Sequence, residues 1–159
     1  MCGSELSSFL SVTSGVPQGS VLGPILFLIF INLLPSVIVN SCVRLFADDA
    51  KIFNCTSSEA GFQGFCDDLD KLAKWAKDWQ LSISFKKCQV LHLGSGNPKR
   101  NISLDGHLLP PVEQIKDLGI LVDKGLKFTV HIGNIVSKAY NSINMVFRAF
   151  LNRQTDRQT

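Results

Sequence analysis

The most apolar window of the chain runs from Val21 to Val39, but Pro24 and Pro35 enclose only ten of its residues and Asn32 sits among them. Pro24 suits the first turn of a helix, where a missing N–H costs nothing, and Pro35 closes the segment. A membrane-spanning helix needs about 20 consecutive apolar residues. The window therefore predicts a buried core helix, with no membrane as a partner. Val37 to Phe46 follows as a strand rich in Val, Ile and Leu. Ala50 to Phe53 reads as a second short strand, joined to the first by a turn that carries Asp48 and Asp49.

The period then changes. Phe62, Phe65, Leu69, Leu72, Ala76 and Trp79 recur at steps of three and four, with Thr56, Ser57 or Ser58 ready to cap the helix they predict. Asp67, Asp68, Lys71, Lys74 and Lys77 fall off that stripe and are expected on a solvated face. Beyond Trp79 the pattern breaks into short strands at Leu81–Ser84 and Val90–Leu93, with a turn at residues 94–98. Asp105-Gly106, between Asn101–Leu104 and His107–Leu109, is a two-residue hairpin signal. Pro110 and Pro111 interrupt the chain, and Leu118–Val122 reads as another strand. A final helix is expected from about Thr129, with Ile132, Ile135, Val136, Ala139, Ile143, Val146, Phe147 and Phe150 on one stripe. The order of elements predicts an α+β chain of antiparallel hairpins packed on helices.

Composition narrows this further. At 159 residues, 45% hydrophobic and 18% charged, the chain has one domain's worth of sequence and can bury a core, which excludes wholesale disorder. The net charge of +3 is compatible with a nucleic-acid partner without pointing to one. Its distribution says more: residues 1–43 hold no Lys or Arg and a single acid, Glu5, so this quarter needs another surface to cover it. The 5 cysteines (Cys2, Cys42, Cys55, Cys66 and Cys88) form no CxxC pair, against both a disulfide framework and a zinc site. The N-terminus lacks a basic region ahead of an apolar run, so a secreted protein is not expected and cytoplasm or nucleus is the default. Arg153 to Thr159 repeats with a period of four, and residues 152–159 are expected to be a disordered tail.

Two segments carry candidate chemistry. In Gly15-Val-Pro-Gln-Gly-Ser20 the glycines permit close backbone approach, Pro17 fixes a turn, and Gln18 offers both a donor and an acceptor at the mouth of an apolar helix. In Phe46-Ala47-Asp48-Asp49 the adjacent carboxylates repel one another unless a cation neutralises them. Magnesium takes one or two carboxylates together with substrate phosphates. Either segment alone is an ordinary turn.

Together, at this spacing, they resemble the reverse transcriptase of non-LTR retrotransposons of the LINE or Jockey type. The resemblance continues through Leu69–Trp79, Lys87-Cys88, Lys116–Ile120, Lys127-Phe128, His131-Ile132 and Lys138-Ala139, over roughly residues 12–151. It implies an RNA-directed DNA polymerase whose intact form joins a primer 3′-hydroxyl to a nucleotide α-phosphate with two Mg²⁺ ions. RNA template, DNA primer and deoxynucleotides are the implied partners. Asp48 and Asp49 match the catalytic, metal-binding aspartates. Pro17, Gln18, Gly19 and Ser20 match a loop that contacts nucleotide and template–primer, Phe46 and Ala47 shape the aspartate hairpin, and Lys87 matches a lysine near the nucleotide phosphates.

The resemblance divides the chain into an N-terminal extension (1–14), a partial palm and connection (15–125) and the first helix of a thumb (126–151). It also requires a third aspartate upstream of the Gly15–Ser20 loop, and residues 1–14 contain none. Leu33 replaces an expected Asp, and Ser84 an expected Asn. A truncated polymerase domain, inactive by itself, is the resulting expectation. The first alternative is a noncatalytic nucleic-acid-binding remnant using the dispersed bases Lys86, Lys87, Lys99, Arg100, Lys127, Lys138 and Arg148, and the second, behind it, is a membrane-anchored small protein.

Overall fold

The computed structural model describes residues 11, 15–16 and 19–155. Its spine is the long helix α2, Glu59–Asp78, opened by Ser58, whose Oγ accepts the Gly61 N–H at 3.0 Å. Glu59 in the first turn and Lys77 in the last complement the helix dipole. The predicted stripe buries Phe65 and Leu69 against Ile102, Leu104 and Leu109. Further along, Trp75 and Ala76 pack on Ile31 and Leu34, and Leu72 borders both clusters. Trp79, placed on the stripe by its spacing, instead caps the helix half-exposed, while Trp75 takes the core position. Phe30 accounts for the shift: it lies 5.5 Å from the Trp75 ring and meets Trp79 edge-on at 5.0 Å, which widens the apolar face by one position.

Asp68 corrects the expectation of a solvated face, for it is fully buried. Its carboxylate accepts the Asn40 N–H at 2.8 Å, the Val39 N–H at 3.2 Å and the Asn40 side-chain amide at 3.2 Å, and Lys71 Nζ stands at 3.3 Å. Gly64, one turn earlier, makes this approach possible: a Cβ there would stand 3.0 Å from the Asn40 Cβ. With these amides bonded to a side chain, the strand expected over Val37–Phe46 shortens to β1, Cys42–Phe46.

The strands form small pairs. β1 runs antiparallel to β2, Asp49–Phe53. β4 (Ser103–Leu104) and β5 (His107–Leu108) form the expected hairpin, with Asp105 and Gly106 at φ 49° and 75° in its turn. Leu118 and Gly119, expected within a strand, are instead the turn between β7 (Gln114–Asp117) and β8 (Ile120–Asp123), at φ 46° and 91°. Leu81–Ser84 is irregular, and β3 is only Val90–Leu91. β3 pairs with β6, Pro111–Val112, and does so in parallel, which qualifies the expectation of purely antiparallel hairpins. The mixture of helices and small sheets is an α+β arrangement.

Helix α1, Leu22–Ile31, starts two residues before Pro24, which sits in its first turn, and ends ahead of Pro35, which a short 3-10 turn at Leu34–Ser36 holds. Burial departs from expectation: only Ile31 of α1 is buried, while Leu22, Ile25, Leu26, Leu28 and Ile29 are at least half exposed. Among the described residues no helix is long and apolar enough to cross a membrane. Helix α3, Thr129–Thr155, extends into the segment assigned to the tail, and residues 156–159 lie outside the described residues. Its apolar stripe is exposed as well.

The base of α3 is secured by Asp123, which accepts the N–H groups of Gly125 at 2.8 Å, Phe128 at 3.0 Å and Lys127 at 3.3 Å. His131 Nδ1 accepts the Leu121 N–H at 3.2 Å, tying the helix to β8. Replacing His131 with Ala removes that acceptor, worth about 1 kcal/mol. Hydrogen exchange at the Leu121 amide is expected to accelerate about fivefold; an unchanged rate would refute the tie.

Candidate active site

The β1–β2 register pairs Phe46 with Asp49, so Ala47 and Asp48 form the two-residue tip of the hairpin. Ala47 adopts φ 50°, a left-handed conformation that L residues resist. Because side chains alternate along a strand, Val43, Leu45 and Ile52 share the inner, half-buried face, with Ile52 and Leu45 packed against the two clusters. Phe46, Asp49, Arg44 and Lys51 occupy the outer, exposed face. Asp48 and Asp49 are therefore presented to solvent at one end of a face that carries two cations.

Lys51 is fixed by a 2.7 Å ion pair with Asp117, which docks the β7–β8 hairpin beside the aspartate hairpin. Its position on the outer face of β2 follows from alternation; its partner, 66 residues away, has no local signature.

The glycine loop is described only in part. Pro17 and Gln18 lie outside the described residues. Gly15 and Gly19 take φ 88° and 85°, conformations that favour glycine. The Ser20 hydroxyl accepts the Gly23 N–H at 3.1 Å and opens α1. A Cβ on Gly23 would stand 3.0 Å from the Val16 side chain, so Val16 packs closely against the helix start. Lys87 is exposed at the end of the 3-10 turn Phe85–Lys87, and its N–H bonds the Ser84 carbonyl at 2.9 Å. Apart from the Phe46–Asp49 pair, no hydrogen bond or ion pair joins these candidates to one another among the described residues.

Among the described residues, no three His, Cys, Asp or Glu side chains cluster as a metal site would require. Two adjacent carboxylates nonetheless fit the donor chemistry of Mg²⁺, a hard cation that completes its shell with water and substrate phosphates. Such a cation would find these two carboxylates at a solvent-open edge, with room for water and phosphate oxygens around it.

Residues 2–122 match the reverse transcriptase (RNA-dependent DNA polymerase) family. The chain is 33% identical over 138 residues to the RNA-directed DNA polymerase from mobile element jockey of Drosophila melanogaster, covering 81% of this chain and 15% of that protein. It is 32% identical over 155 residues to the probable RNA-directed DNA polymerase from transposon BS of the same species, covering 89% and 17%. To the probable RNA-directed DNA polymerase from transposon X-element of that species it is 29% identical over 141 residues, covering 83% and 15%. The chain thus spans only 15 to 17% of the length of these relatives. No solved structure matches it.

Proposed function

The chain belongs to the reverse transcriptase family, as part of the reverse transcriptase domain of a mobile element, and on that premise we propose that Asp48 and Asp49 are its metal-binding, catalytic carboxylates. In this reading residues 15–125 are a partial polymerase palm and its connection, and α3 begins a thumb. What carries the proposal is the solvent-exposed presentation of Asp48 in the two-residue turn and Asp49 beside it at the start of β2, inside the family match.

Bound Mg²⁺ would supply positive charge to the nucleotide phosphates as negative charge develops in nucleotidyl transfer. The chain's own residues have simpler duties. Asp48 and Asp49 hold the cation, with Asp48 the firmer ligand. Ala47 and Phe46 set the hairpin that aims them. Pro17, Gln18 and Gly19 form the loop that meets nucleotide and template–primer, with Ser20 anchoring it to α1, and Lys87 adds charge for the phosphates. RNA template, DNA primer and deoxynucleotides are the ligands this site would serve. A pair of exposed carboxylates holds metal weakly until substrate phosphates complete the shell.

Metal binding is the direct test. Added Mn²⁺ is expected to broaden the backbone resonances of residues 46–50 before others, with Mg²⁺ in excess reversing it. Asp48→Asn should weaken this effect about tenfold, and Asp49→Asn less. Broadening that centres elsewhere, or that survives both substitutions, would overturn the assignment.

A further inference from the structure

Away from the aspartate hairpin, the parallel β3–β6 pair floors a cavity of about 190 Å³. Val90, Ile102 and Leu109 make its apolar wall. Its rim is of a different character: Lys99, Arg100 and Lys124 contribute three cations, His92 and Asn101 add polar groups, and Glu113 is the one acid of the lining. None of these groups has a part in the metal-binding reading.

The rim is held in place by the backbone around it. The Asn97 side chain accepts the Lys99 N–H at 2.9 Å, and Lys99 sits at φ 51°, so the loop turns sharply to bring Lys99 and Arg100 over the cavity. On the opposite side the Gly94 N–H bonds the Lys124 carbonyl at 3.2 Å, and the Lys124 N–H bonds the Glu113 carbonyl at 3.1 Å. Arg100 lies 4.7 Å above the Phe62 ring and pairs with Glu59 through Nη1. That pairing steadies the guanidinium while leaving further donors unspent. Lys124 pairs with Glu113, whose carboxyl is held below its usual range chiefly by that hydrogen bond, with Lys99 adding to the effect. Lys99 forms no ion pair among the described residues.

We infer that this cavity binds a phosphate group, on a free nucleotide or on a nucleic-acid strand. Glu59 offsets Arg100 and Glu113 offsets Lys124, so the net positive charge at the rim is that of Lys99, and the unspent guanidinium donors of Arg100 beside it suit phosphate oxygens. The apolar wall limits competing water, which strengthens the attraction relative to an open surface.

Binding can be measured on the full chain in nonionic detergent with EDTA present, so that no cation at Asp48 and Asp49 contributes. Pyrophosphate titrated by calorimetry is expected to bind saturably. Lys99→Glu should weaken it at least about tenfold, Lys99→Arg should retain it, and Asp48→Asn should leave it unchanged. If a short single-stranded oligonucleotide displaces the pyrophosphate, the natural source is a strand, and Lys99→Ala should lower the slope of log affinity against log salt by about one. If it does not, the source is a free phosphate compound. Absence of saturable pyrophosphate binding, or equal binding by Lys99→Glu, would overturn the inference while leaving the metal-site proposal untouched.

Discussion

Replacing Asp68 with Ala is expected to destabilise the chain by about 2–3 kcal/mol, because it removes a fully buried acceptor of several hydrogen bonds. The carboxylate is fully buried and bonds the backbone N–H groups of Val39 and Asn40, each bond worth about 1 kcal/mol, since those two residues are themselves exposed and water can replace part of what alanine removes. Those two amides lead directly into β1, so the loss would loosen the aspartate hairpin along with the core. Asp68→Asn, which keeps one acceptor oxygen, should cost less. Asp67→Ala, one residue away and exposed, should stay within about 0.5 kcal/mol. Urea unfolding followed by helix content reads all three. Equal midpoints for the Asp67 and Asp68 variants would remove the anchor from this account.

The same carboxylate makes the fold acid-sensitive. Burial alone would raise its pKa, but the bonds from Val39 and Asn40, with Ser41 and Lys71 beside it, outweigh that and hold it below the usual carboxylate value. A lowered native pKa contributes stability that is complete above the unfolded-state pKa, near about 3.9, and is lost as pH falls through the native value. The stability gap between the parent chain and Asp68→Ala should therefore be constant at neutral pH and shrink below about pH 4.

Asp68 also shows where the sequence stops being legible. Helical periodicity located α2 and α3, Pro24 marked the first turn of α1 and Pro35 its stop, Ser58 was among the three residues available as a cap, and Asp105-Gly106 marked its hairpin, because each signal is local. An aspartate off the apolar stripe reads as solvated, since nothing nearby reveals that Asn40 will approach it from 28 residues upstream. Gly64, an exception to helix propensity one turn before it, was the available clue. The β3–β6 pair, the Lys51–Asp117 tie and the rim of the cavity likewise depend on contacts distant along the chain. Within the candidate site the hairpin and its exposed carboxylates were readable from two short strands and a turn. Half of the glycine loop's chemistry, Pro17 and Gln18, lies outside the described residues. The exposure of α1 could not be read from hydropathy, which marks a segment that prefers to be buried without saying what buries it.

That unmet preference leads to the other large effect: at micromolar concentration the isolated chain is expected to self-associate. Along α3, Ile132, Val136, Ala139, Ile143, Val146 and Phe150 alternate in steps of four and three, the spacing that presents one continuous seam to another helix. Phe150 is 66% exposed, Phe147 62% and Ile143 49%. Exposed faces of this kind on α1 and α3 are the sort that drive association. Covering one such side chain contributes roughly 1.5–3 kcal/mol. A double Ile143→Lys/Phe147→Lys change, which replaces two of them with solvated charges, should therefore weaken association by about 10²–10³-fold. Asn141→Lys, on the polar side of the same helix, should have little effect, separating loss of the seam from a mere change in charge. Sedimentation velocity across a concentration series reads the difference, and helix content by circular dichroism checks that the double variant remains folded. A parent chain that sediments as a monodisperse monomer and melts in one sharp transition would show that the exposed stripes tolerate water. If the double variant alone becomes monomeric, the stripe on α3 is a surface selected to be covered.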